Sequence, residues 1–412
     1  MDFGTVLNGV KVVELSTYAA GPAAARLLAD WGADVIKVEG PAPDPMRGYS
    51  TSMGMPNTRE ESPIYQFENA NKRGIALNLK SPEGMETLLK LLEKADVFIT
   101  NTRTQSLKKL GLDYETLHAK FPKLVWSHVT GFGAEGPEAD KPGFDITAFW
   151  SRSGALLDVT QPGYAPNISP SGAGDHTLSL GLAAGILGAL FKQRQTGEGD
   201  RVTISLLGTA TWAYAMMILS TQYGDVFPKS RTKPAHPING SYRCKDGEWF
   251  MLTVIQYERF YATVCKVLGL DHLIDDARYN TLVEVQKGER RPEMVQMLDE
   301  AFAKQDRAYW VEQFNANDVP CEEVRHFADV HKDPQGWANG NLTTFKFENG
   351  NEAVFPCSPI QFSTNVAPPC ERAPHFGEHN EEVLKSLGYT DAQIEEMYKS
   401  GAITGDSIPE LV

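Results

Sequence analysis

Cysteine is scarce in this chain of 412 residues: there are five, at positions 244, 265, 321, 357 and 370, and none earlier. No two of them form a C-x-x-C pair, which argues against a zinc ribbon or a disulfide-stapled secreted scaffold and for a reducing cytoplasm. Basic charge is also short, with 39 Lys and Arg against 53 Asp and Glu and a formal net charge of -14. Binding nucleic acid without sequence preference means neutralising phosphates with Lys and Arg, so nucleic acid is not an expected partner. Long apolar runs are missing too. Leu178 to Phe191 is the longest nearly apolar stretch; it carries three glycines and falls short of the ~20 residues a membrane helix needs, so no membrane partner is expected. Met1 to Asn8 lacks a basic segment followed by an apolar core, so no signal peptide is expected, and the localisation reads as cytoplasmic.

What is present is a chain with 42% hydrophobic residues, long enough for two or three domains. Val10 to Leu15 reads as a strand, a Gly21-Pro22 break leads into an Ala-rich helix from Ala23 to about Trp31, and Asp34 to Glu39 reads as a second strand. Such a βαβ unit implies a parallel sheet. Ile75 to Leu79, Asp96 to Thr100 and Leu124 to Thr130 extend the pattern, and Ser81 with Pro82 marks the start of a helix. A long central helix follows a Gly/Pro-rich stretch at 161–174; its glycines at 181, 185 and 188 share a face and predict close approach of another backbone. A strand is expected at Val202 to Leu206, then an apolar helix to about Leu219. From Gly224 the composition turns to Pro, Lys and Arg. An Asp246-Gly247 hairpin signal lies between Ser241 to Lys245 and Glu248 to Ile255, with charged helical segments to about Phe327. Asn349-Gly350 joins two strand-like runs, and helices near Asn380 to Leu387 and Thr390 to Lys399 close the chain, the second with a Thr390 to Gln393 capping box. The expected fold is α/β, with a large Rossmann-like domain of an open parallel sheet built from 1–223 and 328–412 and a smaller α+β domain at 224–327.

A Rossmann-like start invites a nicotinamide cofactor, yet Ser16 to Pro22 (Ser-Thr-Tyr-Ala-Ala-Gly-Pro) holds no G-x-G-x-x-G, so the phosphate cradle of that class is absent. Between Asn71 and Lys109, Lys72, Arg73, Lys80, Lys90, Lys94, Arg103, Lys108 and Lys109 outnumber Glu83, Glu86, Glu93 and Asp96. Ordinary solvated helix faces would account for this surplus; so would a ligand rich in phosphate, for which Lys80 and Arg103 at strand ends are the better candidates. His375 to His379 matches H-x-x-E-H, but Pro374 and Gly377 break the regular helix that this metal pattern requires, and no metal is expected. Asp175 follows a glycine-rich loop and opens the central helix, where free N–H groups favour a carboxylate. Asp is a common helix N-cap, and that reading stands beside a functional one. His176 points away from its neighbour and reads as a first-turn residue rather than a base.

Val13 to Pro22, Leu28 to Glu39, Glu68 to Lys80, Gly174-Asp175-His176 and the tail Gly377 to Asn380 resemble the class III (family III) CoA-transferases, in order and over essentially the whole chain. Asn101 to Thr104 and Pro142 to Phe149 resemble, within it, the (R)-2-hydroxyacyl-CoA transferases of amino-acid fermentation. The resemblance implies transfer of CoA between an acyl-CoA thioester and a free carboxylic acid, coenzyme A entering as the acyl-CoA co-substrate. Asp175 falls on the family's nucleophile, which passes through an aspartyl mixed anhydride and an aspartyl-CoA thioester. The CoA contacts implied are Ala19, Ala20, Leu77, Asn78, Leu79, Lys80, Asn101, Thr102, Arg103, Lys109, Phe144 and Asp145, several within the basic segment. Tyr49, Phe149 and Trp150, with Phe144, suggest an apolar or aromatic acyl pocket. Gly40 and Pro142 stand where relatives use arginine and lysine. The family's shielding run of glycines is absent, and His236 to Tyr242 is the segment that could replace it. The racemases of this fold pair an Asp with a His; Phe144 stands at that histidine's position, which disfavours racemisation. A non-catalytic CoA-binding protein is the remaining alternative. The resemblance further implies an interlocked homodimer whose chains cross near 220–237 and 327–340.

Overall fold

The computed structural model describes residues 5–167, 169–363 and 370–405. The chain divides into two compact units, the first comprising 1–155, 168–218 and 337–412, the second 156–167 and 219–336. Assignment of 156–167 to the second unit has no marker in the sequence.

The first unit is organised by six strands: β1 (Lys11–Leu15), β2 (Asp34–Glu39), β3 (Arg73–Ala76), β4 (Val97–Thr100), β5 (Val125–Thr130) and β6 (Arg201–Ser205). All neighbours run parallel, in the order β3-β2-β1-β4-β5-β6. Alternation along each strand sends side chains to opposite faces. Val12, Val97, Ile99, Val125 and Val129 face one core, with Ala24, Leu28, Leu178, Leu182 and Ile186 from the helices Ala20–Asp30 and Ala173–Thr196. Val13, Ile36, Phe98 and Trp126 face the other, with Leu88, Leu91 and Leu92 of helix Pro82–Glu93 and Val383 and Ile394 from the closing helices. The sheet is therefore covered on both sides, as parallel sheets require. Its order reverses between β1 and β4, and a crevice opens at the carboxyl ends of the strands at such a reversal.

The first helix begins at Ala20, so Gly21 and Pro22 lie inside it rather than before it. A first-turn proline costs little, because that N–H has no intrahelical partner. β3 ends at Ala76, short of the expected Leu79, and Leu77 to Lys80 turn toward Ser81, which caps the next helix by accepting from Gly84 N (3.1 Å). On the central helix, the glycines meet side chains rather than a backbone: a Cβ on Gly181 would lie 2.9 Å from Ile204 and one on Gly185 2.8 Å from Val202, while Gly188 faces open space. This helix is long and apolar enough to cross a membrane by length and composition alone, yet it packs its buried face on the sheet and the first helix. β10 (Leu342–Lys346) and β11 (Glu352–Pro356) form an antiparallel pair around Asn349-Gly350. Thr390 and Gln393 cap the last helix reciprocally.

In the second unit, β7 (Asn239–Arg243) and β8 (Trp249–Thr253) form the hairpin around Asp246-Gly247, Gly247 taking φ 86°. β9 (Cys321–Val324) adds to β8, and Tyr242, Phe250, Phe302, Trp310 and Phe314 form its aromatic core.

Candidate active site

The crevice at the reversal is built from strand ends. Asn101, just past β4, ties itself to the turn after β1 twice: its Oδ1 accepts from Thr17 N (3.1 Å) and its Nδ2 donates to Thr17 O (2.7 Å). Tyr18 sits at φ 63°, a conformation that non-glycine residues adopt only when their surroundings impose it. Here the restraint is Asp44, whose Oδ1 accepts from Tyr18 N (3.1 Å) and whose Oδ2 pairs with Lys37 (2.9 Å). Lys37 also meets Glu14 (3.1 Å), which pairs with Lys72 (2.7 Å), all of them buried. Burial and the positive charge of Lys37 bring the Lys72 ammonium down to about 8, against the pull of Glu14. Glu14 is held below the usual carboxylate range, burial being outweighed by Lys37 and Lys72. Buried charges of this kind persist only when paired and hydrogen-bonded, and this set fixes the turn that delivers Ala19 and Ala20.

His128, on β5 and 1% exposed, hydrogen-bonds Thr102 O through Nε2 (2.8 Å), which makes Nε2 the donor and fixes the 101–103 turn. Burial holds its imidazole below the ordinary value, favouring the neutral ring.

Asp175 is the third residue of the central helix, and the N-cap is Gly172. Capping falls to another carboxylate: Asp145 accepts from Gly172 N (2.7 Å, Oδ2) and Gly174 N (3.1 Å, Oδ1). Asp145 opens a π-helical segment, Asp145–Ser151, and packs so closely that a Cβ on Gly174 would lie 2.2 Å from its Oδ1 and 2.4 Å from Phe149 Cγ. Gly174 is therefore required for close approach. With the helix end satisfied by Asp145, the Asp175 carboxylate makes no hydrogen bond among the described residues, and the N-cap reading does not describe it.

Asp175 lines a cavity of about 300 Å³ with Thr17, Tyr18, Ala19, Ala20, Asn101, Arg103, His128, Lys141 and Phe144 among its walls. Burial, then the carboxylates of Asp145 and Glu68, push Asp175 up to about 7, with His176 acting in the opposite sense. The helix end alone predicts an easily ionised acid; desolvation and two like charges outweigh it. Asp145 is likewise raised, burial outweighing its two N–H donors. His176 turns to a different cavity of about 580 Å³, where it meets Glu68 (2.9 Å) beside Arg26, Asp30 and Phe67. Adjacent residues of one helix turn thus serve two cavities.

Of the residues singled out in the sequence, Ala19, Ala20, Asn101, Arg103, Phe144 and Asp175 come together in the smaller cavity. Thr102 contributes its carbonyl to His128. Asp145 lies behind the wall and supports it. Leu77, Asn78, Leu79, Lys80 and Lys109 do not line it; Lys80 and Lys109 are exposed. Phe149 is core, 3% exposed, and Trp150 packs beside it against Tyr214, because their segment lies under Gly174 rather than over Asp175. Tyr49 hydroxyl meets Ser171 Oγ (3.2 Å) in the loop before the central helix. His128, Lys141 and Tyr18 are additions to the smaller cavity, and Glu68 to the larger one. Lys141 stands next to Pro142, with its ammonium 4.8 Å over the Phe132 ring and 2.8 Å from Glu138. Phe144 is 56% exposed and meets Tyr18 edge-on, ring centroids 5.5 Å apart. In the H-x-x-E-H segment, His375 pairs with Glu348 and His379 Nδ1 accepts from Gly74 N.

The profile of a family described as CoA-transferase family III matches residues 7–380. An (R)-2-hydroxy-4-methylpentanoate CoA-transferase from Clostridioides difficile is 40% identical, over 94% of this chain and 97% of its own length. A cinnamoyl-CoA:phenyllactate CoA-transferase from Clostridium sporogenes is also 40% identical, over 96% of each. The human succinyl-CoA:glutarate CoA-transferase is 30% identical over 96% of this chain and 90% of its own. Among solved structures, a CAIB/BAIF family protein from Brucella suis superposes with a TM-score of 0.79 at 28% identity, covering 93% of this chain and 100% of that one.

Proposed function

The chain belongs to CoA-transferase family III, and from that membership we propose that it exchanges CoA between an acyl-CoA and a 2-hydroxy acid, or the 2-enoyl acid derived from one, with Asp175 as nucleophile. The observation that carries this reading is the Asp175 carboxylate, without a hydrogen-bond partner among the described residues and facing a cavity at the reversal of the sheet. The names of the two relatives at 40% identity support the substrate class.

In the proposed cycle the Asp175 carboxylate attacks the thioester carbonyl, forming an acyl-aspartyl anhydride and expelling CoA thiolate. The thiolate attacks the aspartyl carbonyl, releasing the donor acid as its carboxylate and leaving an aspartyl-CoA thioester. The acceptor carboxylate attacks that thioester, forming a new anhydride and thiolate, and thiolate attack on its acyl carbonyl yields the product and regenerates Asp175. Splitting the exchange this way replaces one hard substitution by four easier ones. No base is required, since each acid attacks as its anion, and a carboxylate pushed up to about 7 is the stronger nucleophile once ionised. Free N–H groups of the first helix turn at Ala20 and Gly21 are the oxyanion donors in this reading.

Ala19, Ala20, Asn101 to Arg103 and Phe144 would hold the pantetheine and phosphate portions of CoA, with Lys141 and Arg103 as the basic groups at the cavity and Leu77 to Lys80 and Lys109 at the nucleotide end. Phe144 at the position of the racemase histidine counts against proton shuttling, and the His128 ring is committed to Thr102. The homodimer belongs to the same proposal: Trp212 and Met216 in the first unit and Tyr223 in the second are each more than three-quarters exposed, as apolar faces awaiting a partner are. An acyl-exchange assay with a panel of 2-hydroxy acids, aryl acrylates, carnitine and bile acids tests the substrate class. Preference for a 2-hydroxy or 2-enoyl acid is expected; preference for carnitine or a bile acid would refute it.

A further inference from the structure

His176 enters no step of that cycle, yet its surroundings are specific. Its Nε2 lies 2.9 Å from Glu68 Oε1, and its ring meets Phe67 edge-on at 5.5 Å. Glu68, on helix Pro63–Asn69, is 3% exposed, and its Oε2 has no hydrogen-bond partner among the described residues. A buried carboxylate with one bare oxygen is costly and depends on a neighbouring cation. Arg26, paired with Asp30 (2.8 Å), and Lys72, paired with Glu14 and Asn69, also act on Glu68 through their charge, whereas His176 is the cation whose charge acts on both Asp145 and Asp175. On the other side of the helix turn stand Asp145 and Asp175. Three carboxylates thus surround one turn, and the imidazole of His176 is the group placed to offset them.

We propose that the Glu68–His176 pair is a positioning device for the nucleophile: Glu68 anchors His176 as an imidazolium behind Asp175, and this positive charge favours the Asp175 anion against Glu68 and Asp145. The proposal rests on the reading of Asp175 as nucleophile. Its electrostatic directions agree. Against the effect of burial, Glu68 raises His176, with smaller contributions from Asp175 and Asp145, and His176 in turn lowers Asp175. Because the two side chains face different cavities, His176 acts through its charge and not by contact with substrate.

The test is the pH dependence of kcat/KM for acyl exchange from pH 5 to 9 in the full-length protein, in wild type, His176→Gln and Glu68→Gln/His176→Gln. Removing the imidazolium alone leaves Glu68 uncompensated, so the acid limb should move upward by roughly 0.5–1 pH unit. Removing both charges should return it toward wild type, a rescue that a purely structural role would not produce. As a readout that keeps both members of the pair, NMR titration of the His176 ring should show a lower midpoint in Asp175→Asn than in wild type. An unshifted acid limb in His176→Gln, no return in the double variant, or an unmoved His176 midpoint would each overturn the proposal. A wild-type protein without acyl exchange would instead overturn the reading of function, leaving the His176 titration to judge the pair.

Discussion

Replacing Gly174 by Ala adds one methyl group where none fits. The new Cβ would lie 2.2 Å from Asp145 Oδ1 and 2.4 Å from Phe149 Cγ, and Phe149 is core and cannot retreat. Asp145 must therefore move off the two N–H groups it accepts, at 2.7 and 3.1 Å. Hydrogen bonds to a charged acceptor contribute about 1.5–3 kcal/mol each, and overpacking a core costs about 1–3 kcal/mol. Partial relaxation offsets some of this, so a loss of about 2–5 kcal/mol is expected. The same displacement shifts Asp175, the next residue, and a misplacement of about 1 Å lowers turnover roughly 100-fold. Thermal unfolding and single-turnover exchange at saturating acyl-CoA measure the two effects. Gly188→Ala on the same helix is the control: its Cβ meets open space, and Ala in a helix interior gains about 0.5–1 kcal/mol over Gly. A Gly174→Ala protein that unfolds within ~0.5 kcal/mol of wild type and turns over normally would refute the packing argument.

Two further outcomes follow from charge and surface. The Asp175 carboxyl is raised from 3.8 to about 7 by burial and by Asp145 and Glu68, so between those values the folded state binds the extra proton and stability falls as pH rises. Asp175→Asn should therefore melt higher than wild type at pH 8, by an amount on the order of 1–2 kcal/mol after solvent screening, and show no advantage at pH 4; equal melting at both pH values would contradict this. For assembly, sedimentation equilibrium should return twice the 45.4 kDa chain mass, and Trp212→Glu should shift the distribution toward single chains; a wild-type monomer at micromolar concentration would remove the dimer from the proposal.

Strands β1, β2, β4, β5 and β6 and the capped helices were legible because buried parallel strands read as Val/Ile-rich runs and because Ser81-Pro82 and Thr390 to Gln393 are local signals. β9 was not: Cys321-Glu-Glu-Val324 is a half-exposed edge strand whose pairing with β8 is decided by tertiary contacts. Asp175 stood out through its place at a helix start after glycines, although capping by Asp145, 27 and 29 residues before the two N–H groups it accepts, could not be read from spacing. Tyr18 at φ 63° and the burial of Glu68 have no sequence signature at all, since each is imposed by residues far along the chain. Phe149 and Trp150 show a different limit: their aromatic character suggested a pocket wall, while their packing against Tyr214 depends on a residue far along the chain.

The central claim is that Asp175 carries the acyl group covalently. Incubating the protein with an acyl-CoA, quenching with hydroxylamine and mapping peptides by mass should place a hydroxamate on Asp175, with Asp175→Ala neither labelled nor active in exchange. Label on a different carboxylate, or wild-type exchange by Asp175→Ala, would contradict it.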